Sequence, residues 1–209
     1  GRPLVWSNAQ WNLPGLICPS TNPYSANDGV CATTYPYVTS MGPPVDGTLH
    51  MVYFLPSGSA ALLGRTNYLG NCGRLGSLPG FNVYEGPFTR RSKNNLGALT
   101  DGTSNTFFFG EVTGGKQSRF GTQKFSHSWA GAGVMPSAWG IEAVPASATP
   151  GDGVLTSKHY WYKFGSEHPN IVQFTMADGA VKAIPQMINT TTFVRLSGMR
   201  DNYSASVPD

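Results

Sequence analysis

Four histidines and three cysteines are the side chains in this chain best suited to nucleophilic, acid–base or metal chemistry. The histidines are His50, His127, His159 and His168, and no two of them stand in an H-E-x-x-H pattern, so the common zinc-protease arrangement is absent. There is no G-x-S-x-G elbow, no phosphate-binding lysine loop and no dinucleotide fingerprint. An enzyme would have to gather scattered residues, with His127, His159 and Glu167 as the acid–base set, and the sequence gives that reading little help. Satisfied structural histidines are the default expectation, and the chain reads as a non-enzyme. Asp101, Thr103 and Asn105 alternate oxygen-bearing side chains, with Glu111 close by, which makes calcium the one cofactor to consider. Calcium takes roughly six to eight oxygens, and Asp and Asn also simply make tight turns. The expectation is therefore no cofactor, with Asp101 and Asn105 as the calcium alternative. Trp129, Trp139, Tyr160 and Trp161 lie in or beside Gly-rich stretches and could form a surface for sugar rings, or plug small cores.

Cys18, Cys31 and Cys72 form no C-x-x-C pair, which argues against zinc ribbons and thioredoxin-like chemistry. Cys18 and Cys31 flank PSTNPYSANDGV, a segment with little core of its own that a disulfide would staple. A Cys18–Cys72 bridge is equally legal, and at least one disulfide through Cys18 is expected in an exported protein.

The elements that must position these residues are short. Gly and Pro make up 42 of 209 residues and charged residues only 12%, which excludes a coiled coil or helical bundle. With 40% hydrophobic residues the chain can still bury a core. The net charge of +3 is scattered, with one small cluster at Arg90, Arg91 and Lys93, so no nucleic-acid surface is expected. No apolar run is long enough to span a bilayer. Residues 1–48 read as irregular, broken by six prolines. His50–Leu55 reads as a strand, Gly58–Gly64 as a helical turn and Thr66–Gly70 as a short strand. Thr106–Val112, with three adjacent Phe, reads as a central strand buried on both faces. Residues 113–157 read as a loop-rich insertion within a single domain spanning 1–209. Ile171–Met176 and Ala180–Ile184 flank Asp178-Gly179, a strong hairpin signal. A short helix follows, capped by Asn189 or Thr190, with Phe193 and Leu196 on its buried face. The fold class is α+β, mainly β.

Four motifs in order carry a resemblance. They are LICPS at Leu16–Ser20, TNYLGNCG at Thr66–Gly73, DGTSNTFFFGE at Asp101–Glu111, and HPNIVQFTMADG at His168–Gly179, a His then nine residues then Asp-Gly. Together they resemble a large planctomycete prepilin-like family, domain of unknown function 1559. The resemblance covers Leu16 to Leu196. It implies a pilin-like head: an antiparallel sheet, long Gly/Pro-rich loops and a short C-terminal helix. Family members begin with a basic leader, G-F-T-L-x-E and a long apolar helix, none of which is in this sequence. The 209 residues would then be the head of a structural subunit of a filament or secretion pseudopilus. It would be extracytoplasmic, self-assembling or joining other pilin-like subunits through that helix, and touching membrane only by it. An extracellular polysaccharide- or solute-binding module is the alternative. The matching motif residues are Asn67, Tyr68, Gly70, Asn71, Gly73, Asp101, Gly102, Ser104, Asn105, Glu111, His168, Asp178 and Gly179, with structural roles. His168 is expected to bond backbone near the start of its strand. An apolar sheet face is expected around Phe107, Phe109, Phe174 and Val181.

Overall fold

The computed structural model describes residues 2–26, 28–115, 125–131, 133–141, 160–203 and 205–207. The elements are α1 (Arg2–Asn8), β1 (Gly29–Ser40), β2 (Asp46–Phe54), β3 (Arg65–Thr66), β4 (Tyr68–Asn71), β5 (Phe107–Glu111), β6 (Phe125–Ser128), β7 (Val134–Met135), β8 (Ile171–Met176), β9 (Val181–Pro185) and α2 (Thr190–Ser197). They form two sheets, one in the order β2-β1-β6-β3 and one in the order β7-β4-β5-β8-β9. The protein is mainly β, as its composition requires, but the sheets are mixed. The β1–β6 and β4–β7 pairs run parallel and the other pairs antiparallel. Within residues 113–157, β6 and β7 are built into the two sheets.

The five-stranded sheet carries the main core. Val172, Phe174 and Met176 alternate inward along β8 and are fully buried, as a period of two demands. Phe107, Phe164, Phe174 and Phe193 meet there as a ring cluster, with Phe107 and Phe174 at 4.3 Å between centroids. Helix α2 closes this core with Phe193 and Leu196, both fully buried. Asn189 caps it, its Oδ1 accepting from the Thr191 and Thr192 amides. Gly198 ends it with φ of −72°, so its role is not backbone freedom. A Cβ there would meet the Asp201 carboxylate at 2.6 Å.

Three local expectations change. Residues 1–48 are not irregular: they hold α1 and the long strand β1. Pro36 lies inside β1, opposite Leu49 of β2, but the ladder to β6 stops at Cys31. Proline is admitted where one edge of the strand carries no ladder. The three Phe of β5 are not all buried. A register shift between Phe107 and Phe109 leaves Phe107 inside, Phe108 half-buried and Phe109 exposed. The expected apolar face is likewise split. Phe107 and Phe174 are buried in the core, whereas Phe109 and Val181 are exposed.

Candidate functional site

The motif residues sort into two groups by what they touch. The first group is architectural. Asn71 Nδ2 donates to the carbonyls of Phe107 and Ser197, and its Oδ1 accepts from the Gly73 amide. One buried amide therefore ties β4 to β5 and to the end of α2. Gly73 has φ of +79° and its Cα faces the Tyr84 carbonyl, so neither the conformation nor the space admits a side chain. At Gly70 a Cβ would press on Phe88. The segment from Asp101 to Asn105 packs on the β8–β9 turn. The Asp178 amide donates to the Thr103 carbonyl, and the Ser104 hydroxyl bonds the Asp178 carboxylate. Asp178 also accepts from the Ala180 amide at 2.9 Å. The Ala180 contact, then the Ser104 contact, hold its carboxyl below the usual carboxylate range. Gly179 sits at φ of +90° with nothing near its missing Cβ. Gly102 takes φ of +97° ahead of the 3-10 turn Thr103–Asn105.

Asp101, the calcium candidate, is engaged by backbone. Its Oδ2 accepts from the Asp201 amide and its Oδ1 from the Asn202 amide, at 2.8 and 3.0 Å. Asn105 Nδ2 donates back to the Asp101 carbonyl. This is the work of a turn that anchors the C-terminal segment.

The second group converges on one place from four segments. The loop carrying Cys18 is docked on residue 67: the Cys18 amide donates to Asn67 Oδ1, and the Asn67 amide donates to the Leu16 carbonyl. Asn67 Nδ2 in turn donates to the Val112 carbonyl, just past β5. Tyr68 opens β4 and pairs directly with Glu111, the last residue of β5. His168 lies in the loop leading to β8. The Gly165 amide of that loop donates to the Glu111 carbonyl, and the His168 amide donates to Ser166 Oγ.

The His168 ring does not bond backbone as expected; its contacts are side chains. Nε2 lies 3.4 Å from Glu111 Oε1 and 3.7 Å from Cys18 Sγ. Glu111 and Cys18 are each 3% exposed, whereas the His168 side chain is 25% exposed. The other Glu111 oxygen, Oε2, accepts from the Gln173 amide at 2.8 Å. The Tyr68 hydroxyl borders Cys18 and Glu111. Burial first, then those two neighbours, push its pKa up to about 12, so it stays a neutral donor. Among the described residues, Cys18, Glu111 and His168 are the one group of three or more His, Cys, Asp or Glu whose ligand atoms gather within 4.8 Å.

A cleft of about 600 Å³ opens beside this group on the outer face of the five-stranded sheet. Tyr68, Phe109, Trp129, Gln173, Thr175 and Val181 line it. It shares Tyr68 and Gln173 with the surroundings of the thiol, imidazole and carboxylate.

The other candidates fare unevenly. Cys18, Cys31 and Cys72 are all free and buried, so the expected disulfide through Cys18 is not formed. Cys18 is committed to the loop that Asn67 holds, and Cys31 lies in the ladder of β1. Burial pushes the Cys31 and Cys72 thiols up to about 12, which marks them as inert core groups. The aromatic surface does not form as one patch. Trp161 is in the core at 8% exposure. Trp139, Tyr160 and Trp161 all pack on Tyr162, while Trp129 stands apart at the cleft and donates Nε1–H to the Trp11 carbonyl. His127 is fully buried in β6 and Glu167 is exposed; His159 lies outside the described residues. The Cys18–Glu111–His168 group was missed in the sequence because its members stand 57 to 150 positions apart (18, 111 and 168). The available signal was that three of the four motifs each contribute one of them.

A family model described as a protein of unknown function (DUF1559) matches residues 2–191. No curated protein and no solved structure matches the chain significantly. The family match covers most of the chain, in accord with the order of its four motifs: the chain belongs to the DUF1559 family.

Proposed function

We propose that this chain is the head of a pilin-like structural subunit, displayed outside the cytoplasm and assembled through an apolar helix that precedes Gly1. The observation that carries the reading is how the chain enters the β domain. It does so through a helix, α1, with Trp6 edge-on against Phe54 of β2 at 5.4 Å and Ala9 packed with Val30 and Leu63. A helix leading into a β head and leaning on its strands is the connection a pilin-type subunit needs. The motif residues fit a structural task, because Asn71, Gly73, Asp101 and Asp178 all bind backbone to backbone across distant segments.

The test is to read the coding sequence upstream of Gly1 and to shear the source cells. A basic leader, a G-F-T-L-x-E site and an apolar helix, with the protein recovered in sheared filaments, are expected. An ordinary cleaved signal peptide and a freely secreted protein would overturn the reading.

A second reading, a solute-binding module, is favoured by the cleft alone. Its walls combine Tyr68, Phe109 and Trp129 with the polar Gln173 and Thr175, a mixture suited to a sugar or small amphipathic solute. It predicts saturable binding from a glycan panel that Phe109→Ala weakens. No binding across the panel would remove it.

A further inference from the structure

Three side chains of different donor chemistry bring their ends to one point, from three segments clamped independently. We propose that Cys18, Glu111 and His168 hold one divalent transition-metal ion of the zinc class, with a fourth position left to water or to a ligand reaching it from the neighbouring cleft.

The distances carry the argument. An ion about 2.3 Å from sulfur and about 2.0 Å from nitrogen and oxygen, with tetrahedral angles, sets sulfur and nitrogen ~3.5 Å apart and nitrogen and oxygen ~3.3 Å apart. The observed separations are 3.7 Å for Cys18 Sγ to His168 Nε2 and 3.4 Å for His168 Nε2 to Glu111 Oε1. Both are long for a strong hydrogen bond. They match the edges of a coordination tetrahedron.

The atom identities separate this from a catalytic thiol. In a nucleophile–histidine–acid relay the imidazole uses one nitrogen for the nucleophile and the other for the acid. Here the same Nε2 faces both the thiol and the carboxylate. That is a triangle around a common point.

The surroundings act as an outer shell. The Gln173 amide fixes Glu111 Oε2, which leaves Oε1 turned to the site. Asn67 fixes the backbone of Cys18. Such contacts hold ligands in place before the ion arrives. A thiolate, an imidazole and a carboxylate together select a borderline ion; calcium and magnesium take oxygens. Three protein ligands leave one position open, and the partly exposed His168 lies on the side open to solvent. Binding releases the Cys18 thiol proton to solvent, so affinity falls as pH falls.

The test uses the full 209-residue chain, purified under reductant, stripped with chelator and titrated with Co²⁺ and then Zn²⁺. A single Co²⁺ per chain with a thiolate-to-cobalt charge-transfer band, displaced by Zn²⁺, is expected. Cys18→Ser and His168→Ala should each abolish the band, while Cys31→Ala should keep it. Should the Cys18 variant fail to fold, alkylation of the unaltered protein decides. Zn²⁺ should slow modification of Cys18 by at least tenfold in peptide mapping. No thiolate band, a band that survives Cys18→Ser, or alkylation of Cys18 unchanged by Zn²⁺ would each overturn the proposal. Rapid alkylation without zinc protection would instead mark Cys18 as a metal-free nucleophile.

Discussion

At His127 a titratable ring sits fully buried in β6 with neither nitrogen in a well-formed hydrogen bond among the described residues. Burial lowers its pKa to about 4, against a modest opposing pull from the Trp161 backbone. The folded protein therefore favours the neutral ring. This stability is complete above the unfolded value of about 6.5 and is lost as pH falls towards 4, by up to about 3 kcal/mol. Denaturant melts of the wild type and His127→Leu from pH 7 to 4 should show the wild type losing stability faster; parallel curves would refute this. Asp201 runs the other way. Burial is the first cause and the neighbouring Asp101 raises it further, taking it to about 6. Its neutral form is favoured when folded, so stability is complete below about 4 and is lost as pH rises through 6. Asp201→Asn keeps an acceptor for the Tyr203 amide. Relative to wild type it should gain stability between pH 4 and 7. A constant difference across that range would show that Asp201 ionises freely. Both groups were visible in the sequence as residues, but burial, which sets their pKa, is a tertiary quantity.

Among the elements, the β8–β9 hairpin is the one most fully legible. Asp178-Gly179 marks its turn, and Gly179 takes φ of +90° where a side chain has room but the backbone resists it. Gly179→Val should cost about 1–2 kcal/mol or more, read as a lowered melting temperature. An unchanged melting temperature would mean that the turn re-forms otherwise. The β3 region is held differently. Arg65 is 3% exposed, and its guanidinium donates to the carbonyls of Pro23, Ala26, Ala61 and Leu63 and to Ser126 Oγ. It stacks over the Tyr24 ring at 5.3 Å. One side chain thus joins the 3-10 turns at Pro23–Ser25 and Gly58–Leu62 to β6. Arg65→Met keeps the stem and strands four carbonyls, so a loss of about 2–4 kcal/mol is expected by urea unfolding. A loss below about 1 kcal/mol would show that water replaces the guanidinium. Nothing in the sequence around Arg65 announces this role. Its partners are up to 61 positions away, and a lone arginine after Gly64 reads as surface.

For the whole molecule, the state of the cysteines is the sharpest consequence. Three buried free thiols mean that the unfolded, unreduced protein should take up three alkyl groups by intact mass. Uptake of one would restore a disulfide. The expectation of a bridge rested on the Pro- and Asn-rich segment between Cys18 and Cys31 needing a staple. The structure supplies other ties there: Asn22 caps the turn at Pro23–Ser25, and Arg65 grips the Pro23 and Ala26 carbonyls. The cleft and the Cys18–Glu111–His168 group lie on the same side of the five-stranded sheet, joined through Tyr68 and Gln173. A ligand in one can therefore be felt at the other.

By itself the sequence determined the fold class, the terminal hairpin and helix, and the family. Each of these rests on local information: Gly and Pro content, a period of two in β8, a turn dipeptide, a capping Asn189, and motifs in order along the chain. It did not determine β1, because six prolines outweigh strand propensity until one knows which strand edge lacks a ladder. Nor did it determine which Phe of β5 is buried, because one register shift turns the side chains over. The meeting of Cys18, Glu111 and His168 was decided only by tertiary structure. Their closeness depends on Asn67 docking one loop, on Tyr68 pairing with Glu111, and on the Gly165 amide holding the His168 loop to the end of β5. Those are contacts across dozens of residues, and no local pattern encodes them.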